Sequence, residues 1–176
     1  GQGSSFKLVL PLTTAVTQVV MLRCGDTTFA VPSTVVEIVR RATPAELDAA
    51  YTSASYTLDG RTLQFFWLGA LLQTSARSNE TGGRTRPLVV IRSAQQRIAV
   101  HVDEVIGNQE VVVKNLGPQL SRLPGLVGMT LLASGAVALI YNPVALAARC
   151  GDADRAATFA ALHAGAAQAQ LPQAQE

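Results

Sequence analysis

Residues 97–114 read RIAVHVDEVIGNQEVVVK. In an extended chain successive side chains point to opposite faces, so Ile98, Val100 and Val102 share one face of a strand. Val111, Val112 and Val113 form a second run of β-branched residues, whose crowded Cβ suits a strand better than a helix. The stretch therefore predicts strands over Arg97–Val105 and Gln109–Lys114, with a break at Gly107. The pair Asp103 and Glu104 helps to end the first of them.

The same grammar extends outward in both directions. Upstream, Pro87–Arg92 is an apolar run, and 75–86 (SARSNETGGRTR) is the clearest loop in the chain. Before it, Tyr56–Leu58 and Thr62–Trp67 flank Asp59-Gly60, the strongest short hairpin signal. Leu68–Gln73 is at most a short turn of helix. Val16–Arg23 and Thr28–Val31 form another hairpin, closed by Pro32, and Val35–Arg40 is a third β-branched run. Between Ala42 and Ser55, Thr43-Pro44-Ala45-Glu46 has the form of a helix start for one or two turns. Downstream, Val127–Leu132 and Ala136–Tyr141 pair across Ser134-Gly135. Ten short strands without long interleaved helices predict an all-β sandwich or small barrels rather than a parallel α/β sheet.

Composition agrees with a packed domain. Of 176 residues 48% are hydrophobic but only 5% aromatic, so the core is built from Val, Leu, Ile and Ala. Charged residues are 15%, against roughly 25% in an average domain, which suits a surface that docks onto other proteins. The net charge of +2 supplies no electrostatic drive toward nucleic acid or anionic lipid. The arginine pairs Arg40/Arg41 and Arg84/Arg86 read as solvated faces. Cys24 and Cys150 lack metal or redox spacing; two free thiols in a reducing compartment is the preferred reading, with a bridge between them left open. No apolar run reaches the roughly 18 residues needed to span a bilayer, and no signal-peptide pattern opens the chain. A soluble, cytoplasmic protein is expected.

No catalytic set assembles from the residue types. His101 sits inside a strand and reads as a packed or half-exposed side chain rather than a catalyst or phosphoacceptor. His163 has no partner at ligand spacing, so no metal or other cofactor is expected. Asp103 and Glu104 are adjacent in an extended chain and point to opposite faces, so they cannot share a site. The pair Gly82-Gly83 lacks the strand, helix and Lys-Ser/Thr of a phosphate loop. Trp67 alternates with Leu63 and Phe65 and is assigned to the core.

Three stretches then resemble one family. Residues 1–13 (GQGSSFKLVLPLT) are similar to the closing G-x-G-[ST]-x-F box and last strand of a sensor histidine kinase ATP-binding domain. Residues 19–39 (VVMLRCGDTTFAVPSTVVEIV) resemble the opening of a CheW-like regulatory domain. Residues 98–146 resemble its second half as found in CheA-type chemotaxis kinases, through the elements VDEV, VVVK-LGP, PG–G and VALI–NP. The resemblance implies two intertwined five-stranded SH3-like barrels, with short helices in the connections and a helical or disordered Ala-rich tail. It divides the chain into a terminal strand of the ATP-binding domain (1–14), a CheW-like regulatory domain (15–148) and an Ala/Gln-rich tail or linker (149–176). Such a tail resembles hybrid kinases that carry a further receiver domain, including those linked to pilus motility.

The function implied is docking. A CheW-type adaptor and a chemoreceptor cytoplasmic tip would be the partners at membrane-associated receptor arrays, with no nucleic acid and no membrane insertion. The fragment itself is expected to be no enzyme. Neither His101 nor His163 matches the phosphorylated histidine motif, and the remaining boxes of the ATP site are missing. In this family receptor tips lie in the groove between barrels near the third strand, which maps here to Val35, Val36 and Ile38. Alternation must leave at least one of these facing outward. A free-standing CheW-type adaptor is the alternative, and a small nucleic-acid-binding β-barrel a more distant one.

Overall fold

In the computed structural model the described residues are 3, 4, 7, 15–80, 82–117 and 120–149. The terminal strand expected within 1–14, the tail after Arg149, Cys150 and His163 lie outside them. In chain order, β1 (Ala15–Cys24) and β2 (Thr27–Pro32) form a hairpin, and a 3-10 turn (Ser33–Val35) leads into β3 (Val36–Ala42). Helix α1 (Pro44–Ser53), β4 (Ser55–Leu58), β5 (Arg61–Trp67) and α2 (Leu68–Leu71) follow. The chain then forms β6 (Arg86–Ser93), β7 (Gln96–His101), β8 (Glu104–Val113), β9 (Leu126–Leu131), β10 (Val137–Tyr141) and α3 (Pro143–Ala147).

The ten strands make two five-stranded sheets, ordered β8-β1-β2-β10-β9 and β3-β6-β7-β5-β4. The first sheet takes its strands from both ends of the described chain, and the second is inserted between them. A bridge between Lys114 and Met129 ties the end of β8 to β9 and curls the first sheet on itself. This is the intertwined, mostly β architecture that the sequence predicted.

Three apolar cores explain why so many strands read as continuous hydrophobic runs. Val19, Met21, Ala30, Val111, Ala138 and Ile140 fill the first sheet. Ala42, Leu47, Ala50, Leu58, Leu63, Phe65, Leu88, Val90 and Ala99 fill the second. The alternate residues of the same strands, including Val20, Leu22, Phe29, Val31, Phe66, Val89, Ile91, Ile98 and Val100, build a third core between the sheets. Strands β1, β6 and β7 are therefore buried on both faces and show no polar alternation. Trp67 belongs to this junction core with Phe66, while Leu63 and Phe65 face the interior of the second sheet.

Local chemistry sets several boundaries that the sequence reading placed differently. The connection after Ala42 holds ten helical residues rather than one or two turns, because Thr43 and Glu46 form a reciprocal capping box. Apolar Leu47 and Ala50 then bury one face of α1 under β4 and β5. The expected strand 97–105 ends at His101. Glu104 does not terminate a strand but opens β8, which runs through Gly107. Opposite β1 the register shifts between Met21 and Leu22, whose partners are Gly107 and Val105, so Ile106 is the extra residue of a bulge. At the β4–β5 turn Asp59 and Gly60 both take positive φ, 50° and 75°, as a two-residue hairpin loop requires.

The loop 75–86 is polar as read, yet it is pinned to both halves of the molecule. The Trp67 indole N–H donates to Ser75 Oγ at 3.0 Å. Arg77 pairs with Asp48 of α1 and lies 4.3 Å over the Tyr51 ring. The Ser78 hydroxyl donates to Asp103, and Glu80 accepts from Arg23 at 3.4 Å.

Candidate docking surface

The third strand is an edge: β3 bonds to β6 on one side only. Its residues are treated very differently by the fold. Val35 closes the 3-10 turn rather than starting the strand, and with Val36 it packs against the junction core. Between Val36 and Ile38 the register against β6 shifts at Glu37, which accepts from Arg97 in two hydrogen bonds of 2.5 and 2.9 Å. Beyond that irregularity Ile38 is 38% exposed and Val39 45%. Of the three residues singled out from the sequence, only Ile38 is an exposed position; Val39 was missed. Charged Arg40 and Arg41 and the short length of β3 blunt the free edge against uncontrolled pairing.

A second outward surface lies on the β9–β10 hairpin, where Val127, Leu131 and Val137 are each more than half exposed. Leu131 and Val137 face each other across the ladder. On β9 the alternation is inverted in size, since the small residues Gly128 and Thr130 face inward, opposite Ile140 and Ala138 of β10. A Cβ on Gly128 would stand 2.6 Å from Val113 Cγ1, so no larger residue fits at that position. That size pattern in GLVGMTL was the available signal. Val16, Ile106 and Val112 add exposed apolar positions on β1 and β8.

The geometry around His101 is that of a packed side chain. The side chain is fully buried at the end of β7. Tyr51 Oη stands 2.8 Å from its Nδ1, and the Trp67 ring lies 5.0 Å away, tilted by 47°. Burial pushes its pKa down to about 4, against a smaller opposing pull from Asp103. Asp103 and Glu104 have different partners, but both line one cleft, against the expectation that they cannot share a site, because Asp103 lies in the bend between β7 and β8 and not in a strand. Asp103 accepts the Gly25 N–H at 2.6 Å, whereas Glu104 accepts from Arg23 Nε at 2.9 Å. Cys24 is a buried free thiol whose pKa burial raises to about 12, so it is unreactive. Among the described residues no three His, Cys, Asp or Glu side chains gather at metal-binding spacing, and no helix is long and apolar enough to cross a membrane.

The His101 environment carries a pH prediction. The folded state holds the imidazole neutral down to about pH 4, while the unfolded chain takes up a proton near 6.5. The unfolded state thus binds more protons between these values, and stability falls as pH drops from 6.5 toward 4. The loss amounts to roughly 3 kcal/mol at the lower limit. Glu46, whose carboxyl is held below its usual range by the Thr43 N–H and hydroxyl, adds to the acid sensitivity. Nuclear magnetic resonance titration of the His101 ring gives the check. A midpoint near 6.5 in the folded chain would contradict the buried, neutral assignment.

The family model described as "CheW-like domain" matches residues 18–150. The chain is 33% identical over 147 residues to the chemotaxis protein CheA of Halobacterium salinarum, covering 83% of this chain and 21% of that protein. It is 30% identical over 148 residues to CheA of Bacillus subtilis, again covering 83% of this chain and 21% of the relative. The chain thus spans about a fifth of the length of these curated relatives. Among solved structures, the scaffolding protein TtCheW of Thermoanaerobacter tengcongensis superposes with a TM-score of 0.54 at 10% identity, covering 77% of this chain and 90% of that one. At that identity the likeness concerns the fold.

Proposed function

The chain belongs to the CheW-like domain family, and from that membership we propose that it is the regulatory and scaffolding module of a chemotaxis-type sensor histidine kinase. The observation that carries this reading is the match to CheA relatives over 83% of the chain, within a fifth of their length. On this reading residues 15–148 are the CheW-like domain. Residues 1–14 are the terminal strand of a kinase ATP-binding domain, and 149–176 are an Ala/Gln-rich tail or linker. The phosphotransfer chemistry belongs to the parent kinase, and this module couples it to sensing by docking a CheW-type adaptor and a receptor cytoplasmic tip at membrane-associated arrays.

The outward apolar positions fit that role. Ile38 and Val39 on the edge of the second sheet, and Val127, Leu131 and Val137 on the first, offer anchors on both halves. Small domains docking in this way bury about 1,200–1,600 Å² in total, with a few apolar anchors carrying most of the energy. The test is titration calorimetry of the 176-residue chain with its cognate adaptor. Saturable micromolar binding with weak salt dependence is the expected result. No association with adaptor, together with salt-sensitive binding to RNA or DNA, would replace this reading by the nucleic-acid alternative.

A further inference from the structure

A cleft of about 280 Å³ opens where β3 ends and β6 begins, beside the start of β8. Its two charged walls differ in how far their groups are already satisfied. On the acidic side Glu80 and Glu104 are both engaged by Arg23, at 3.4 and 2.9 Å. The Asp103 carboxylate takes the Gly25 N–H and the Ser78 hydroxyl. On the basic side, Arg41 and Arg86 have no ion-pair partner among the described residues.

Two side-chain nitrogens of residues lining this cleft are closed to bulk solvent and have no hydrogen-bond partner, Arg86 Nε and His101 Nε2. Arg86 Nε is always a donor, because a guanidinium stays protonated. The role of His101 Nε2 follows from the tautomer that its contact with Tyr51 selects. Burial raises the Tyr51 phenol pKa, so it keeps its proton, and the Ser78 backbone N–H lies against the phenol oxygen. In the tautomer in which the phenol gives its proton to His101 Nδ1, 2.8 Å away, the ring hydrogen sits on Nε2. Unpartnered buried donors, above all a charged one, are costly. Both of these lack the same thing, an acceptor oxygen.

We propose that this cleft is a carboxylate-binding site, with the ligand seated against Arg41 and Arg86. A carboxylate presents two coplanar acceptor oxygens, which match the guanidinium fork, and the Thr85 that also lines the cleft brings a hydroxyl donor. A cation is disfavoured because the acidic groups opposite already have their partners. The volume admits a small dicarboxylate or an Asp or Glu side chain of a partner protein. The proposal stands on the cleft alone and does not depend on the regulatory reading above.

The test uses the 176-residue chain and follows the Arg86 Nε–H resonance by heteronuclear NMR. One arm titrates free succinate and the other a blocked Gly-Glu-Gly tripeptide, each at matched ionic strength against chloride. A saturable shift in the low-millimolar range is expected. Tighter binding of the tripeptide identifies a partner's side chain as the source, and tighter binding of succinate identifies a free dicarboxylate. Arg86→Gln should weaken either by about tenfold or more with an unchanged melting temperature. Arg86→Lys, which keeps the charge but loses the fork, should fall between. The proposal is overturned if neither probe saturates, or if Arg86→Gln folds and binds them as well as the parent chain.

Discussion

Replacing Trp67 by alanine will lower the melting temperature by about 10 °C or more, through the loss of about 3–5 kcal/mol expected for emptying a buried tryptophan site. Trp67 is 3% exposed at the point where β5 turns into α2. It contributes to the core shared by both sheets, stacks against His101, and donates its indole hydrogen to Ser75, which tethers the loop 75–86. Removing it leaves a cavity at the junction and frees that loop together. Because the core is common to the two sheets, unfolding should remain a single transition, displaced as a whole. Trp67→Phe keeps most of the apolar surface and loses only the donor, and should cost about 1–2 kcal/mol. Calorimetry of the three proteins is the check. Two separate transitions in Trp67→Ala would mean that the sheets fold independently, against the shared-core account.

The second large effect concerns docking, and it contrasts two neighbours. Ile38→Asp places a charge on an exposed edge position, and should leave the melting temperature nearly unchanged. If Ile38 is an anchor for the adaptor, its loss costs about 2 kcal/mol or more, which weakens binding by about 30-fold. Val36→Asp instead puts a carboxylate on a half-buried position packed against the junction core, and should lower the melting temperature clearly. Thermal melts separate the two outcomes, and adaptor titration of the folded variant reads the first. Full affinity in a folded Ile38→Asp would remove β3 from the interface and leave the β9–β10 face as the remaining candidate. The two variants sit two residues apart, on either side of Glu37.

That contrast shows where the sequence stops being informative. Strict alternation from Val35 would have put Val36 and Ile38 on the same face. The register shift at Glu37 breaks the count, and it is set by pairing with β6 and by the Glu37–Arg97 ion pair, whose members are far apart in the chain. His101 presents a similar case. A strand position was legible, but its burial depends on Tyr51 arriving from α1 and Trp67 from β5.

What the sequence determined by itself was conformation: β-branched runs, Asp59-Gly60 and the Thr43–Glu46 cap act through sterics and hydrogen bonds within a few residues. They gave ten strands and the turns that separate them, and the family-specific elements VDEV and VVVK gave the lineage. What only the tertiary structure decided was burial. Whether a valine is core or surface depends on what another segment brings against it, as Gly128 inside and Leu131 outside the same strand illustrate. The cleft beside Arg41 and Arg86 is of this second kind, because its walls come from strands and a loop that meet only when both sheets close on their common core.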